Sequence, residues 1–156
     1  MAVIGLISDT HGLLRPEVAP ALAGVDLILH AGDIDTAEVL EQLRSLAPVV
    51  AVRGNNDRGA WADAILEREV TRVGSVSIYM VHDLHDIGLS PVAAGFQVVV
   101  SGHTHRPLVE QRDGVLFVNP GSAGPRRAVI AASFSTIGVK CSRTIVVYSA
   151  RLFGKW

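Results

Sequence analysis

The chain has 156 residues, 14 basic against 15 acidic for a formal net charge of −1, and 49% of it is hydrophobic. That length and composition fit one compact domain with its own core, and they disfavour an electrostatic nucleic-acid binder, which needs a basic surplus to neutralise phosphates. The lone Cys141 excludes an intramolecular disulfide framework and a four-cysteine zinc site, and it suits a reducing compartment.

The first apolar run, Val3 to Ile7, has no basic segment ahead of it and passes directly into Ser8-Asp9-Thr10-His11. It reads as a core strand rather than a signal peptide. Pro16 to Ala23 begins with proline and ends at Gly24, the pattern of a short helix. Val25 to Leu29 is the second strand-like run. Thr36 to Leu46 carries Val39, Leu40, Leu43 and Leu46 at helical spacing, with Asp35 or Thr36 as N-cap. Further apolar runs follow at Val49 to Val52, Val76 to Val81, Val98 to Val100, Val115 to Val118 and Ala128 to Ala132.

Continuous Val/Ile-rich runs of this length suit strands covered on both faces. Their alternation with helices early in the chain argues for βαβ units and parallel pairing. From Glu69 onward, Gly74, Gly114 and Gly138 sit between strand-like runs as in hairpins, so the second half is expected to be antiparallel. The expected architecture is α/β: two packed mixed sheets flanked by helices, in one domain over residues 1–156. No apolar run approaches the roughly 20 residues that a membrane helix requires, so the expected location is cytoplasmic and no membrane partner is expected.

The polar residues follow the strand-like runs almost one for one. Asp9 and His11 follow the first, Gly32-Asp33 the second, Gly54-Asn55-Asn56-Asp57 the third, His82 the run ending at Val81, and Gly102-His103-Thr104-His105 the run ending at Val100. In an open α/β sheet, loops past the carboxyl ends of the strands converge on one crevice. Convergence would gather two carboxylates, four imidazoles and an amide: Asp9, His11, Asp33, Asn55, His82, His103 and His105. This mixture of donors suits manganese, iron, cobalt, nickel or zinc better than calcium. Seven side chains are too many for one tetrahedral zinc and right for two metals sharing a carboxylate. Two divalent cations facing two carboxylates leave a positive pocket that attracts phosphate and lowers the pKa of a shared water.

Taken singly, each motif has an ordinary structural reading. Asp9 is a turn former, Gly32-Asp33 a turn, Gly54-Asn55-Asn56-Asp57 a loop, and His82 a satisfied buried histidine. All five in order after strands would require independent coincidences. Other residues near the motifs have plainer expectations. His30 is expected to support the site from behind, and Asn119 and Ser122 to shape a loop beside it. Arg53, Arg58, Arg106 and Arg126 are expected in surface or ion-pair roles, and Trp61 in packing or in lining a cleft.

The set Asp9-x-His11, Gly32-Asp33, Gly54-Asn55-x-Asp57, His82 and Gly102-His103-x-His105 resembles the calcineurin-like metallophosphoesterase superfamily. With Asn119-Pro120-Gly121-Ser122 and the short chain, it is most similar to the small single-domain bacterial and archaeal phosphodiesterase branch. The resemblance implies that Asp9, His11, Asp33 and His105 bind one metal and that Asp33, Asn55, His82 and His103 bind a second, with Asp33 bridging. Manganese is favoured. It also implies a metal-bound hydroxide attacking the phosphorus of a phosphodiester or phosphomonoester without a covalent enzyme intermediate, with Asn55, His82 and His103 at the reacting centre.

Two departures stand out. Many members carry histidine directly after the metal-binding Asn, where this chain has Asn56; Asp57 or a metal-bound water is the expected leaving-group donor in its place. The branch often has Gly-His after the His82 position, where this chain has Asp83-Leu84-His85, which leaves His85 without a role. The competing function is a protein-interaction scaffold, the use to which a eukaryotic retromer subunit puts this fold; a scaffold has no need to keep all seven ligand-type residues. A phosphoprotein phosphatase is disfavoured by the short chain and by Asn56. The expected partner is a phosphate-ester substrate, with homo-oligomerisation left open.

Overall fold

The computed structural model describes residues 2–124 and the strands at 132–139 and 145–152. The segment 128–131 of the last apolar run, Arg126 and Cys141 lie outside the described residues. One sheet contains β1 (Ala2–Ile7), β2 (Leu27–His30), β3 (Val49–Ala51), β9 (Ala132–Val139) and β10 (Ile145–Leu152), in the order β10-β9-β1-β2-β3. The other contains β4 (Arg68–Val73), β5 (Val76–Val81), β6 (Val98–Val100), β7 (Leu108–Arg112) and β8 (Val115–Asn119), in the order β4-β5-β6-β8-β7. Helices α1 (Val18–Ala21), α2 (Ala37–Arg44) and α3 (Ala60–Asp63) and a 3-10 turn at Leu84–Asp86 complete the elements.

The apolar runs are strands because both sheets are covered on both faces. Ile4 and Leu6 pack with Leu29, Ile78, Met80, Val98 and Val100 between the sheets. Ile7 and Ile28 point the other way, onto Val18 and Leu22 from α1 and its end and onto Val39, Leu40 and Leu43 of α2. On the far face of the second sheet, Tyr79, Val81 and Val99 pack with Phe96 and Phe117. Gly5 lies where α1 crosses β1, and a Cβ there would stand 2.6 Å from Leu22 Cδ2.

The parallel pairing of β1, β2 and β3 matches the early βαβ pattern. The second half departs from the antiparallel expectation. Hairpins do join β4 to β5 and β7 to β8, but β5 pairs with β6, and β6 with β8, in parallel. The long connection from Val81 to Val98 and the hairpin excursion through β7 return the chain in the same direction. As a result, β1, β2, β3, β5, β6 and β8 all contribute loops to the region described next. Among the described residues, no helix is long and apolar enough to cross a membrane.

Candidate metal centre

Three pairs of residues at i and i+2 have backbone φ in the left-handed region: Asp9 (53°) and His11 (49°), Asp33 (53°) and Asp35 (69°), His103 (67°) and His105 (57°). Among the described residues the only other non-glycine with positive φ is Asp113. Such backbone is disfavoured for residues with a Cβ and concentrates at functional sites. It persists here because the loops hold one another. Asp9 N donates to Gly32 O, His11 N to Asp33 O, and Gly12 N to Ile34 O. Glycines permit the close approach: a Cβ on Gly102 would collide with Ser8 Oγ, and one on Gly54 with Asp33 N and Oδ1.

Two groups of donor atoms result, each gathered within 4.8 Å: Asp9, His11 and His105, and Asp9, Asp33 and His82. His11 Nε2 and His105 Nε2 face each other at 3.3 Å, and Asp9 Oδ1 lies 3.2 Å from His105 Nε2. Asp9 belongs to both groups, and Asp33 belongs to the second while reaching toward the first. Asp33 Oδ1 is 3.4 Å from His82 Nε2 and its Oδ2 is 4.0 Å from His11 Nε2. His103 and Asn55 form a third, more open pair, with His103 Nδ1 3.1 Å from Asn55 Oδ1 and the His103 ring edge-on to His82 at 5.2 Å.

The partners behind the imidazoles fix which nitrogen faces inward. His82 Nδ1 donates to Ala31 O at 2.7 Å, so Nε2 carries the lone pair. His11 Nδ1 lies 3.2 Å from Asp35 Oδ2, which likewise turns Nε2 inward. Buried His82 Nε2 and Asp9 Oδ1 have no hydrogen-bond partner. Orphaned buried lone pairs are costly, and carboxylate and imidazole donors aimed into one space fit divalent cations.

Electrostatics agrees. Burial raises the Asp9 pKa above the usual carboxylate range. Burial would raise Asp33 too, but the His82 imidazole beside it and hydrogen bonds from Asn56 outweigh that and hold the carboxyl well below the usual range. Burial opposes charge on His82, yet its contacts with Asp33, Ala31 O and Asp9 win and raise its pKa.

The supporting residues meet their expectations. His30 is fully buried, accepts from Gly32 N at Nδ1 (3.2 Å) and sits 3.0 Å from Thr10 Oγ1. Burial lowers its pKa to about 3. Asn119 donates to Gly102 O at 2.6 Å, and Ser122 Oγ donates to Asp9 O at 2.9 Å. Arg53 pairs with Glu67 and Asp63, Arg58 and Arg106 are exposed, and Trp61 packs against the α1–α2 core.

Asp57 differs from its expectation. Its Oδ1 accepts from Ile34 N and Asp35 N and its Oδ2 from Gly54 N, all at 2.7 Å. A buried carboxylate so engaged ties two site loops together. Two contacts were not read from the sequence. Asn56 Nδ2 donates to Asp33 Oδ2 at 2.6 Å, and Asp35 braces His11. The second had a signal: Asp33-Ile34-Asp35 repeats the i, i+2 spacing of Asp9 and His11 and of His103 and His105.

Residues 2–141 match the model of the calcineurin-like phosphoesterase superfamily domain. The chain belongs to that superfamily. Relatives of this calcineurin-like chain occur among archaea. It is 37% identical over 131 residues to a probable metallophosphoesterase of Methanothermobacter thermautotrophicus, covering 77% of this chain and 76% of that one. It is 30% identical to a phosphodiesterase of Methanocaldococcus jannaschii, covering 76% of this chain and 82% of that one. In fold, this calcineurin-like chain also resembles Vps29 of Entamoeba histolytica solved with zinc, with a TM-score of 0.76 at 20% identity over 96% of this chain and 98% of that one.

Proposed function

We propose that this phosphoesterase is a dinuclear, metal-dependent phosphodiesterase. Asp9, His11, Asp33 and His105 would hold one ion, and Asp33, Asn55, His82 and His103 the other. The observation that carries this reading is the Asp33 carboxylate, with one oxygen directed at His82 and the other at His11. When bound, divalent ions supply Lewis-acid polarisation of a phosphoryl group and activation of water near neutral pH. Manganese is the favoured ion, with zinc, iron, cobalt and nickel as alternatives.

The residues of the chain do the rest. His82 and His11, each fixed by a partner on Nδ1, present Nε2 without reorganisation. The left-handed loops hold Asp9, Asp33 and the two histidines of Gly102-His103-Thr104-His105 at fixed separations. Beside Asn55, His82 and His103 opens a cavity of about 320 Å³, walled further by Arg53, Arg68 and Asp83. It gives room for an ester group larger than phosphate alone, which favours diesters. Asp57 is assigned to holding the loops, not to proton donation.

The test is metal uptake and a substrate panel. Metal-free protein titrated with Mn²⁺ is expected to take up two equivalents and to hydrolyse bis(4-nitrophenyl) phosphate faster than 4-nitrophenyl phosphate, with activity removed by a chelator. Firm uptake of one equivalent or none overturns the dinuclear reading. A folded protein that hydrolyses neither ester would favour the scaffold function instead.

A further inference from the structure

His103 is the most loosely buried of the imidazoles around the site, with 42% of its side chain exposed, and it rides on a strained loop. Its Nδ1 faces Asn55 Oδ1 at 3.1 Å and its Nε2 faces Asp83 Oδ2 at 3.4 Å. Asp83 follows His82 directly and caps the 3-10 turn at Leu84–Asp86. Its Oδ1 accepts from His85 N at 3.0 Å and lies 2.8 Å from His85 Nδ1. One carboxylate oxygen is thus clasped by His85, and the other is left for His103.

A neutral imidazole has one N–H, and here both ring nitrogens face oxygen. If Nδ1 carried the proton, the Nε2 lone pair would confront a carboxylate. If Nε2 carries it, the bond to Asp83 is charge-assisted, the stronger of the two choices. Nδ1 then presents a lone pair toward Asn55, which a cation shared with Asn55 Oδ1 satisfies, as does the Asn55 amide turned to offer Nδ2. We propose that Asp83, clasped by His85, is the positioning residue for His103: it fixes the Nε2–H tautomer and turns Nδ1 toward Asn55. This gives Asp83-Leu84-His85, the segment that departs from the branch pattern, a role in the half of the site nearest the cavity. The inference rests on the reading that Asn55 and His103 serve the second ion.

Two measurements test it. Calorimetric titration of metal-free protein with Mn²⁺ reads the two uptake steps. Asp83→Ala is expected to weaken the second by about 10–100-fold, the usual effect of losing the carboxylate behind a metal-binding histidine, with the first step within about twofold. Asp83→Asn keeps an acceptor and is expected to lose less. His85→Ala, which only loosens the clasp, is expected to lose least. Nitrogen-15 NMR of the His103 ring in metal-free protein is expected to report the Nε2–H form in the wild type and a mixture in Asp83→Ala. Unchanged second-step affinity together with an unchanged tautomer in both Asp83 variants overturns the proposal. Uptake of a single equivalent by the wild type would remove the dinuclear reading, while the NMR still decides for or against Asp83. If Asp83→Ala does not fold, Asp83→Asn carries both measurements.

Discussion

The two halves of the site are held from opposite sides. Around Asp9, His11 and His105 the supports come from within. Asp9 is fully buried, Ser8 Oγ donates to its Oδ2 at 2.6 Å, Ser122 Oγ donates to its backbone oxygen, and fully buried His30 lies beneath the same loop. Around Asn55 and His103 they come from the surface: both residues are exposed, the cavity opens beside them, and the brace on His103 is partly exposed Asp83. Buried Asp33 and His82 tie the second half to the interior, as does the bond from His103 N to buried Asp9 Oδ2 at 3.2 Å. The difference teaches a division of labour. The inner half is preorganised by the fold, so its ligand geometry costs little to maintain on binding. The outer half faces the cavity, the side from which the proposed ester would enter, and its side chains are oriented by local contacts. A cation bound there is expected to exchange more readily.

The largest effect should come from removing what joins the halves. Asp33→Asn deletes the negative charge whose two oxygens face His82 and His11. At least one of two Mn²⁺ equivalents is expected to be lost and turnover to fall by about a thousandfold, about 4 kcal/mol of barrier. Elemental analysis and initial rates on bis(4-nitrophenyl) phosphate read both. Two tightly held ions and normal turnover would mean that Asp33 does not bridge and that the halves are independent.

Next in size is the tie between the loops themselves. Asp57 accepts from three backbone amides on two loops. Asp57→Asn turns an amide NH₂ against one of those donors, and the expected cost is about 3 kcal/mol of unfolding free energy, the range for losing hydrogen bonds to a buried charged group. Urea unfolding of metal-free protein measures it. The kinetic signature separates this from acid catalysis. The ratio of rates on a nitrophenyl ester and an alkyl ester should match the wild type, since a general acid matters most for the poorer leaving group. A defect confined to the alkyl ester would return Asp57 to the leaving group.

The same division explains what the sequence discloses. The strands are legible because Ile4, Leu6, Ile78 and Met80 enter one core while Ile7, Ile28, Tyr79 and Val81 enter others, so whole runs are apolar. The expected donors are legible because each follows such a run. The parallel pairing of β5, β6 and β8 is not, since pairing direction depends on distant partners and leaves no mark within a strand. The β4 strand alternates exposed and half-buried residues, and its Arg-Glu-Val-Thr-Arg-Val sequence has no apolar run to find. Orientation within a motif is hidden as well. Gly54-Asn55-Asn56-Asp57 announces a loop, but not that Asn55 turns to His103, Asn56 to Asp33 and Asp57 to the amides behind.

The smallest effect concerns the buried support of the inner half and can be read without metal. His30 accepts from Gly32 N and contacts Thr10, and its burial lowers its pKa to about 3 from 6.5. Between those values the unfolded chain binds a proton that the folded chain refuses, so stability rises with pH across this window and is lost as pH falls below about 6.5. The slope approaches about 1.4 kcal/mol per pH unit below the unfolded pKa, so going from pH 6.5 to pH 5 should cost about 1.6 kcal/mol through this group alone. In His30→Gln no such proton exists. The variant is expected to be less stable than the wild type at neutral pH, because its amide replaces a ring fitted to two partners, yet to lose less stability on acidification. Urea unfolding of both metal-free proteins at several values between pH 7.5 and 5 gives the two slopes, and the other titrating groups cancel in their difference. Parallel slopes would show that His30 is not held neutral, and the claim that the inner half is braced by a dry, uncharged support would fail with it.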